Sequence, residues 1–523
     1  MAKKGFPPIV YILFTLALAA AVNWLFKSGR LTAPPIAGLD ASRSERSNER
    51  QNGDDLVLLG DTFSGYSTFR DGDFQALLAE SGLRLVYEDV FDQGERAAQL
   101  DRGDADLLVT TLDRFLQHQP QGRIIALIDR TIGADAVVLN TPKYPQLQSL
   151  NDLKTLSASG VTPTITYAED TPSEYLARVL NVQFEGFDLS SFQVIGVAEA
   201  SDAWALLQDP NQAIAVAVLW EPFVTQAKRQ GYTVVLSSND TPNTIVDVLV
   251  ASDRAIADNP EAIAGLLTAY YRHIDSNTQN NARLKAQIQA DGDLSAEDAE
   301  LVLQGIDFFT SIEADQWMQD GTLAQRLQAT GAILTLAGEI NAPPTEPDSL
   351  YSPQFIREAV TNTETLIGLI EADNPTLAAA LKGQPIAAET APVNPEAVRK
   401  EVQTATPIGN LNIRGEVKFT TGSAQLTPDS LQTLDRLATE IGEFNTDTVA
   451  VRVIGHTSQT GSAQLNQTLS QQRAQAVVTY LESRGISRKI IAEGKGYSET
   501  LPNIAPTDIR NQRTEIRLVR LDS

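Results

Sequence analysis

From residue 55 onward, short apolar runs alternate with amphipathic stretches. Strand-like runs fall at 56–59, 83–87, 107–109, 124–127, 136–139, 164–167, 192–195, 214–219, 233–236 and 245–251, and helical spacing fills many of the gaps, as at 73–81, 173–180, 202–207 and 222–230. That alternation predicts an α/β fold with a largely parallel sheet. Residues 260–340 read as mainly helical, for example 260–274 and 296–310, and 352–372 predicts one more helix. Near the C-terminus, residues 449–454 alternate apolar and polar and stop at Gly455; Leu465, Leu469, Ala474, Val477, Val478 and Leu481 then recur at helical spacing. Two stretches show neither period. Residues 27–54 are polar and charged, and 389–409 are rich in Ala, Pro and Thr; both read as linkers. No internal repeat is present.

The N-terminal pattern differs from all of these. Lys3 and Lys4 precede an apolar run over residues 9–22 that continues through Trp24 and Phe26. As a helix, residues 9–26 would reach about 27 Å, against a hydrocarbon core of ~30 Å. The basic flank predicts an N-terminus held inside and Trp24 suits the far interface, which makes residues 1–26 a single-pass inner-membrane anchor with the bulk of the chain in the periplasm. The competing reading is a cleaved signal peptide, with Ala19, Ala20 and Ala21 as the cleavage region. Both readings export the rest.

Composition narrows the chemistry. With no cysteine among 523 residues, a lipid-modified cysteine anchor, disulfides and thiol catalysis are excluded. His118, His273 and His456 are the three histidines and lie far apart, so no metal site or other cofactor is expected. The net charge of −25 is uneven: from Leu411 onward there are 13 Lys+Arg against 12 Asp+Glu, and before it 28 against 54. A field that acidic disfavours nucleic acid as a partner. No phosphate-binding loop, dinucleotide fingerprint, zinc-protease motif or nucleophile elbow occurs, and the chain is not expected to be an enzyme.

The stretch Gly455–Ala474, GHTSQTGSAQLNQTLSQQRA, resembles the OmpA-like peptidoglycan-binding domain, whose signature runs GHTD, G, N, LS, RA. Gly455, His456, Thr457, Gly461, Asn466, Leu469, Ser470, Arg473 and Ala474 all fall in register, and the likeness continues through Gly494, Gly496, Asn511, Arg513 and Glu515. The resemblance implies an α+β domain over 411–523 that grips the diaminopimelate of wall peptide, an Arg holding its carboxylate and an Asp its ammonium. Arg473 stands at the Arg position. Ser458 replaces the Asp, and Gln512 replaces the first Arg of the family's NRRVE ending. The residues the resemblance assigns to peptidoglycan are Thr457, Ser458, Asn466, Leu469, Arg473 and Arg513, with binding weakened by Ser458.

Residues 55–375 resemble a two-lobed, type II periplasmic solute-binding domain of the nitrate/sulfonate/taurine-like group. The likeness is carried by the helix-to-strand turn within residues 97–115, by Gly133–Asn140 as the crossing strand into lobe two (about 141–240), by the strand ending Trp220-Glu221-Pro222, and by 245–251 as the return strand. Such a fold binds its ligand at loops facing the cleft between the lobes. The candidates are Ser64 and Tyr66; Thr110, Thr111 and Asp113; Thr171, Ser173 and Glu174; Trp220 and Glu221; and Asp135 and Asp247 beside the two crossings. Thr111 also reads as a helix cap, and Thr171-Pro-Ser-Glu174 as a capping box. The expected architecture is α/β: an N-terminal transmembrane helix, a 27–54 linker, the two-lobed domain, a 376–410 linker and the OmpA-like domain. The expected function is that of an envelope-anchored receptor for a small polar solute, docked to peptidoglycan, with an ABC permease as the partner such a receptor implies. The alternative is a structural tether whose solute-binding fold has no ligand.

Overall fold

The computed structural model describes residues 55–278, 281–384, 395–486 and 489–521. The apolar segment 9–26 and the stretch 27–54 lie outside the described residues. No described helix is long and apolar enough to cross a membrane.

The chain begins one sheet with β1 (Asp55–Gly60), β2 (Arg84–Asp89), β3 (Leu107–Thr111) and β4 (Gly122–Thr131). It crosses to a second sheet for β5 (Asp135–Leu139), β6 (Thr164–Ala168), β7 (Gln193–Val197), β8 (Ile214–Trp220) and β9 (Thr233–Ser237), then returns as β10 (Val246–Ser252) and β11 (Ile306–Phe308). The orders are β11-β4-β10-β3-β1-β2 and β7-β6-β8-β5-β9. Each sheet thus carries, next to its third strand, the strand that has just crossed from the other lobe. This exchange through two short crossings makes the two-lobed periplasmic-binding-protein-like fold. Strands β5 and β10 are buried along their whole length, which accounts for their near-continuous Val, Leu and Ala.

Three expectations are corrected. The sheets are mixed rather than largely parallel: β10 runs antiparallel to β3 and β4, and β5 antiparallel to β8 and β9, because a strand arriving from the other lobe enters from the opposite end. The helix expected over 296–310 stops at Gln304, and Ile306–Phe308 pairs with β4 as an edge strand. Apolar Ile306 and Phe308, read as one helical face, alternate instead as strand residues. The stretch 376–410, expected as a linker, holds the helices Pro375–Leu381 and Pro395–Thr404 and strand β12 (Thr406–Asn410). Val398, Val402 and Ala405 pack on Ala450, Ile491, Val519 and Leu521, so a short amphipathic helix was hidden among Pro and Ala.

The C-terminal sheet contains β12, β13 (Val449–Gly455), β14 (Ile490–Gly494) and β15 (Thr514–Arg520) in the order β12-β15-β13-β14. The helices Pro428–Gly442 and Ala463–Ser483 complete an α+β unit. Of the expected helical face, Ala474, Val477, Val478 and Leu481 are buried, whereas Leu465 is 70% exposed. A helix of 21 residues spans ~31 Å and overhangs strands of five to seven residues, so its first turn has no sheet to cover.

This unit shares one apolar core with lobe two. Phe184, Phe187, Leu150 and Leu180 cluster with Ile408, Leu411, Ile441 and Phe444. Main-chain bonds run across the seam from Leu150 N to Ile408 O (2.8 Å), Glu185 N to Asn410 O (3.0 Å) and Asn412 N to Gln183 O (2.7 Å). Arg520 pairs with Asp240, and Arg326 of the lobe-one side pairs with Glu443 at 2.5 Å.

Candidate functional site

The lobe-one sheet ends towards lobe two in a row of polar residues. Asp247 on β10 stands opposite Thr111 on β3 and Asp129 on β4, and directly opposed residues present their side chains on one face. The turn Ser64–Tyr66 roofs the row: the Tyr66 hydroxyl donates to Asp247 Oδ1, and Gly65 lies so close to Asp129 Oδ2 that a Cβ would collide with it. Asp129 is fully buried, and among the described residues neither of its oxygens meets a hydrogen-bond donor. Burial first, and then the facing Asp247, push its pKa well above the usual carboxylate range; Asp247 is raised by burial in the same way.

Lobe two contributes Asp135 and Ser173, whose hydroxyl donates to Asp135 Oδ1 at 2.9 Å. Burial pushes the Asp135 pKa up to about 7. Asp113 is also buried and raised, chiefly by burial. Asp113, Asp129, Asp135 and Asp247 therefore crowd the place where the lobes meet. No group of three or more His, Asp or Glu able to hold a metal ion occurs among the described residues.

Beside this acidic cluster lies a latch of ion pairs. Arg114, 2% exposed, follows Asp113 on the lobe-one helix Leu112–His118. It meets Asp113 at 3.2 Å and reaches into lobe two to Asp170 (3.0 Å), Glu174 (3.1 Å) and the Thr171 carbonyl (2.9 Å). Arg178 continues the network to Glu174 and Glu339, both at 2.6 Å. Tyr175 and Val179 on the same lobe-two helix, Pro172–Gln183, pack into the lobe-one core. A pocket of about 10 Å³ lies beside Arg114, Arg96, Thr110 and His118, room for roughly one water. The lobes are shut.

The structure brings Tyr66, Thr111, Asp113, Asp135, Ser173, Glu174 and Asp247 to this junction. Thr110 points to the other face of β3 and donates to Gln93 Oε1 at 3.0 Å. Ser64 is half-buried in the roof turn. Glu221 caps the following helix by accepting from Thr225 N at 3.1 Å, and Trp220 is half-buried at the end of β8. The capping box at Thr171 is corrected: Thr171 Oγ1 donates to Ala168 O at 2.8 Å, and Glu174 accepts from Asp170 N at 2.8 Å. Glu174 turns towards two arginines, a stronger attraction than a cap offers. Thr111 likewise makes no cap bond. Asp129, Arg114, Arg178 and Asp170 were not read from the sequence. An Asp closing the apolar run 124–128 was the available signal for the first of them.

The second site lies at the end of β13 in the C-terminal unit. Arg473, 7% exposed, donates from Nε to the Ser423 carbonyl (3.0 Å) and from Nη1 to Gln512 Oε1 (3.4 Å), and its guanidinium lies 5.1 Å from the centre of the Phe419 ring. Gln512 Nε2 donates to Ser458 Oγ at 3.1 Å. The two positions that depart from the family signature therefore touch each other. Asn466 Nδ2 ties the loop by donating to Thr460 O at 2.8 Å, Thr457 Oγ1 is buried without a partner among the described residues, and Leu469 is half-buried. Arg513 is engaged elsewhere, paired with Glu515 at 2.7 Å. Burial raises the Glu515 carboxyl, but hydrogen bonding from His456 and the charge of Arg513 outweigh it and hold the pKa at about 2.

Residues 418–514 match the OmpA family. Relatives of this OmpA-like domain include outer membrane protein A of Shimwellia blattae, 40% identical over 111 residues (21% of this chain, 45% of that protein), and of Shigella flexneri, 39% identical over 111 residues (21% and 31%). The chain spans less than half the length of either. Solved structures similar to part of this chain include the periplasmic aliphatic sulphonate binding protein SsuA from Escherichia coli (15% identity, TM-score 0.45, 57% of this chain and 92% of that one) and the periplasmic nitrate-binding protein NrtA from Synechocystis PCC 6803 (14%, 0.46, 60% and 89%). The two-lobed assignment itself rests on the strand orders.

Proposed function

We propose that this protein is an envelope receptor whose OmpA-like domain docks it to peptidoglycan and whose two lobes close on a small solute bearing a cationic or hydroxyl group. The carrying observation is Asp129, buried beside Asp247 with no donor for either oxygen. A buried polar group without a partner is costly and calls for one; an ammonium or hydroxyl group supplies the missing donor. An anion would bring no donor to Asp129, and any ionised member of the cluster Asp113, Asp129, Asp135 and Asp247 would repel it. Residues 55–375 form the receptor in this reading and 411–523 the wall module. The apolar segment 9–26 would hold both to the inner membrane, facing the periplasm, where an ABC permease could meet the lobes. No catalytic step is part of it.

The test is thermal unfolding of the full chain with amines, polyols, sulfonates and nitrate. A ligand at 100 times its Kd adds about 2.7 kcal/mol, so an amine or polyol is expected to raise the midpoint, and Asp129→Asn to remove the rise. Stabilisation by sulfonate or nitrate alone would contradict the acidic-cleft reading. The shut latch between Arg114 and lobe two favours a second reading, a ligandless tether between membrane and wall. Absence of any shift, together with no co-purifying small molecule in native mass spectrometry, would put the tether in its place.

For the wall module, Ser458→Asp restores a charged acceptor beside Arg473. Charged hydrogen bonds contribute about 1.5–3 kcal/mol, or roughly tenfold to a hundredfold in affinity. Sedimentation with insoluble diaminopimelate-type peptidoglycan is expected to rise accordingly, and Arg473→Ala to abolish it. Retention that ignores both changes would point to a protein partner instead.

A further inference from the structure

The polar groups around Arg473 form a one-way relay. Gln512 Oε1 accepts from Arg473, so its Nε2 must face Ser458; the flipped amide would set donor against donor. Ser458 Oγ then accepts from Gln512 and shares a hydrogen bond with Thr460 Oγ1 at 3.3 Å, in which either hydroxyl can donate. The Ser423 carbonyl is already bonded to Arg473 Nε. The nearby carboxylate, Glu515, is engaged by His456 at 3.3 Å, Arg513 at 2.7 Å, Arg517 at 3.1 Å and Asn410 at 3.2 Å. The acceptors left around Arg473 are therefore neutral oxygens, with no carboxylate among them. What remains is a buried guanidinium with no carboxylate paired to it among the described residues, and the unpartnered hydroxyl of Thr457, 3% exposed. Only burial acts on the Arg473 pKa, lowering it from the usual arginine value, with no charged group contributing.

We infer that Arg473, Gln512, Ser458 and Thr457 form a pocket without a charged acceptor, which takes a bare carboxylate on an aliphatic chain in preference to a carboxylate accompanied by an ammonium group. This rests on the reading of the domain as a wall-binding module and narrows its ligand: an ammonium beside the carboxylate would find no charged acceptor and would be repelled by Arg473. Ser458 and Gln512 are the specificity-determining pair. Each is neutral, so neither offers an ammonium a charged acceptor.

Calorimetric titration of the full chain with pimelate and with meso-2,6-diaminopimelate, which differ only by the two amino groups, tests the inference. Pimelate is expected to bind at least as tightly as the diamine. Gln512→Glu, which sets a carboxylate against Arg473, is expected to lose pimelate binding while the far-UV spectrum stays native. Ser458→Asp is expected to shift the ratio at least tenfold towards the diamine. A tenfold preference of the natural chain for diaminopimelate, or a ratio that Ser458→Asp leaves unmoved, overturns the inference. If neither compound binds, the anion pocket is wrong, and sedimentation separates the two claims: a chain that still pellets with wall material keeps the wall reading without this pocket, and one that stays in solution loses both.

Discussion

Replacing Arg114 by Met is expected to destabilise the protein by about 3–5 kcal/mol, the usual effect of removing one partner from a buried ion pair. Arg114 and Asp113 are each 2% exposed, and Glu174 is 12% exposed. Without the guanidinium, Asp113 would sit in low dielectric with no countercharge, and Glu174 would keep only Arg178. Asp170, 40% exposed, keeps its hydration and adds little. The loss should shrink as pH falls, because Asp113, raised by burial, can then take up a proton. Replacing both partners, Arg114→Met with Asp113→Leu, should recover most of the loss, since an apolar pair removes the desolvation penalty together with the attraction. Urea unfolding at pH 7 and pH 5 measures all three. Equal destabilisation by the single and double variants would show that the arginine acts through packing instead.

The second large effect concerns pH. The Asp135 pKa lies at about 7 in the folded chain, against about 3.9 in an unfolded one. Between these values the folded state keeps a proton that the unfolded state has released. Stability therefore falls as pH rises from about 4 to about 7, by up to roughly 1.4 kcal/mol per pH unit from this group, and levels off above. Asp129 and Asp247, raised by burial and by their proximity to other carboxyls, act in the same direction. Asp135→Asn should match the natural protein near pH 4 and exceed it in stability at pH 7. Measuring unfolding free energy from pH 4 to 8 for both proteins isolates the difference. A constant offset between the two curves would mean that Asp135 is ionised when folded.

Asp113, Asp129, Asp135 and Asp247 are buried acids whose pKa values are raised by that burial, a pattern common at functional sites. The shared core between Phe184 and Phe444 and the Arg326–Glu443 pair also tie the OmpA-like unit to the lobes. Hinge motion of the usual two-lobed kind would therefore carry the C-terminal unit with lobe two and strain the contact to Arg326.

Local pattern was enough for much of this chain. The apolar runs at 107–109, 136–139 and 214–219 became buried strands because a run of Val, Leu and Ala has few other ways to leave water. The turn at Gly455 and the helix after it were legible because their residues are constrained within a few neighbours. The positions of Arg473 and Ser458 followed from that register. What the local pattern leaves open is which distant groups share a space. Asp129 reads as an ordinary strand end until β10 brings Asp247 opposite it, 118 positions along the chain. Arg114 reads as a solvated helix charge until Asp170 and Glu174 of the other lobe close over it. Gln512 and Ser458 are two unrelated departures until the fold sets them 3.1 Å apart. Burial and charge pairing depend on contacts between segments far apart in sequence, so the tertiary structure decided the state of these groups and the sequence determined only which groups were available.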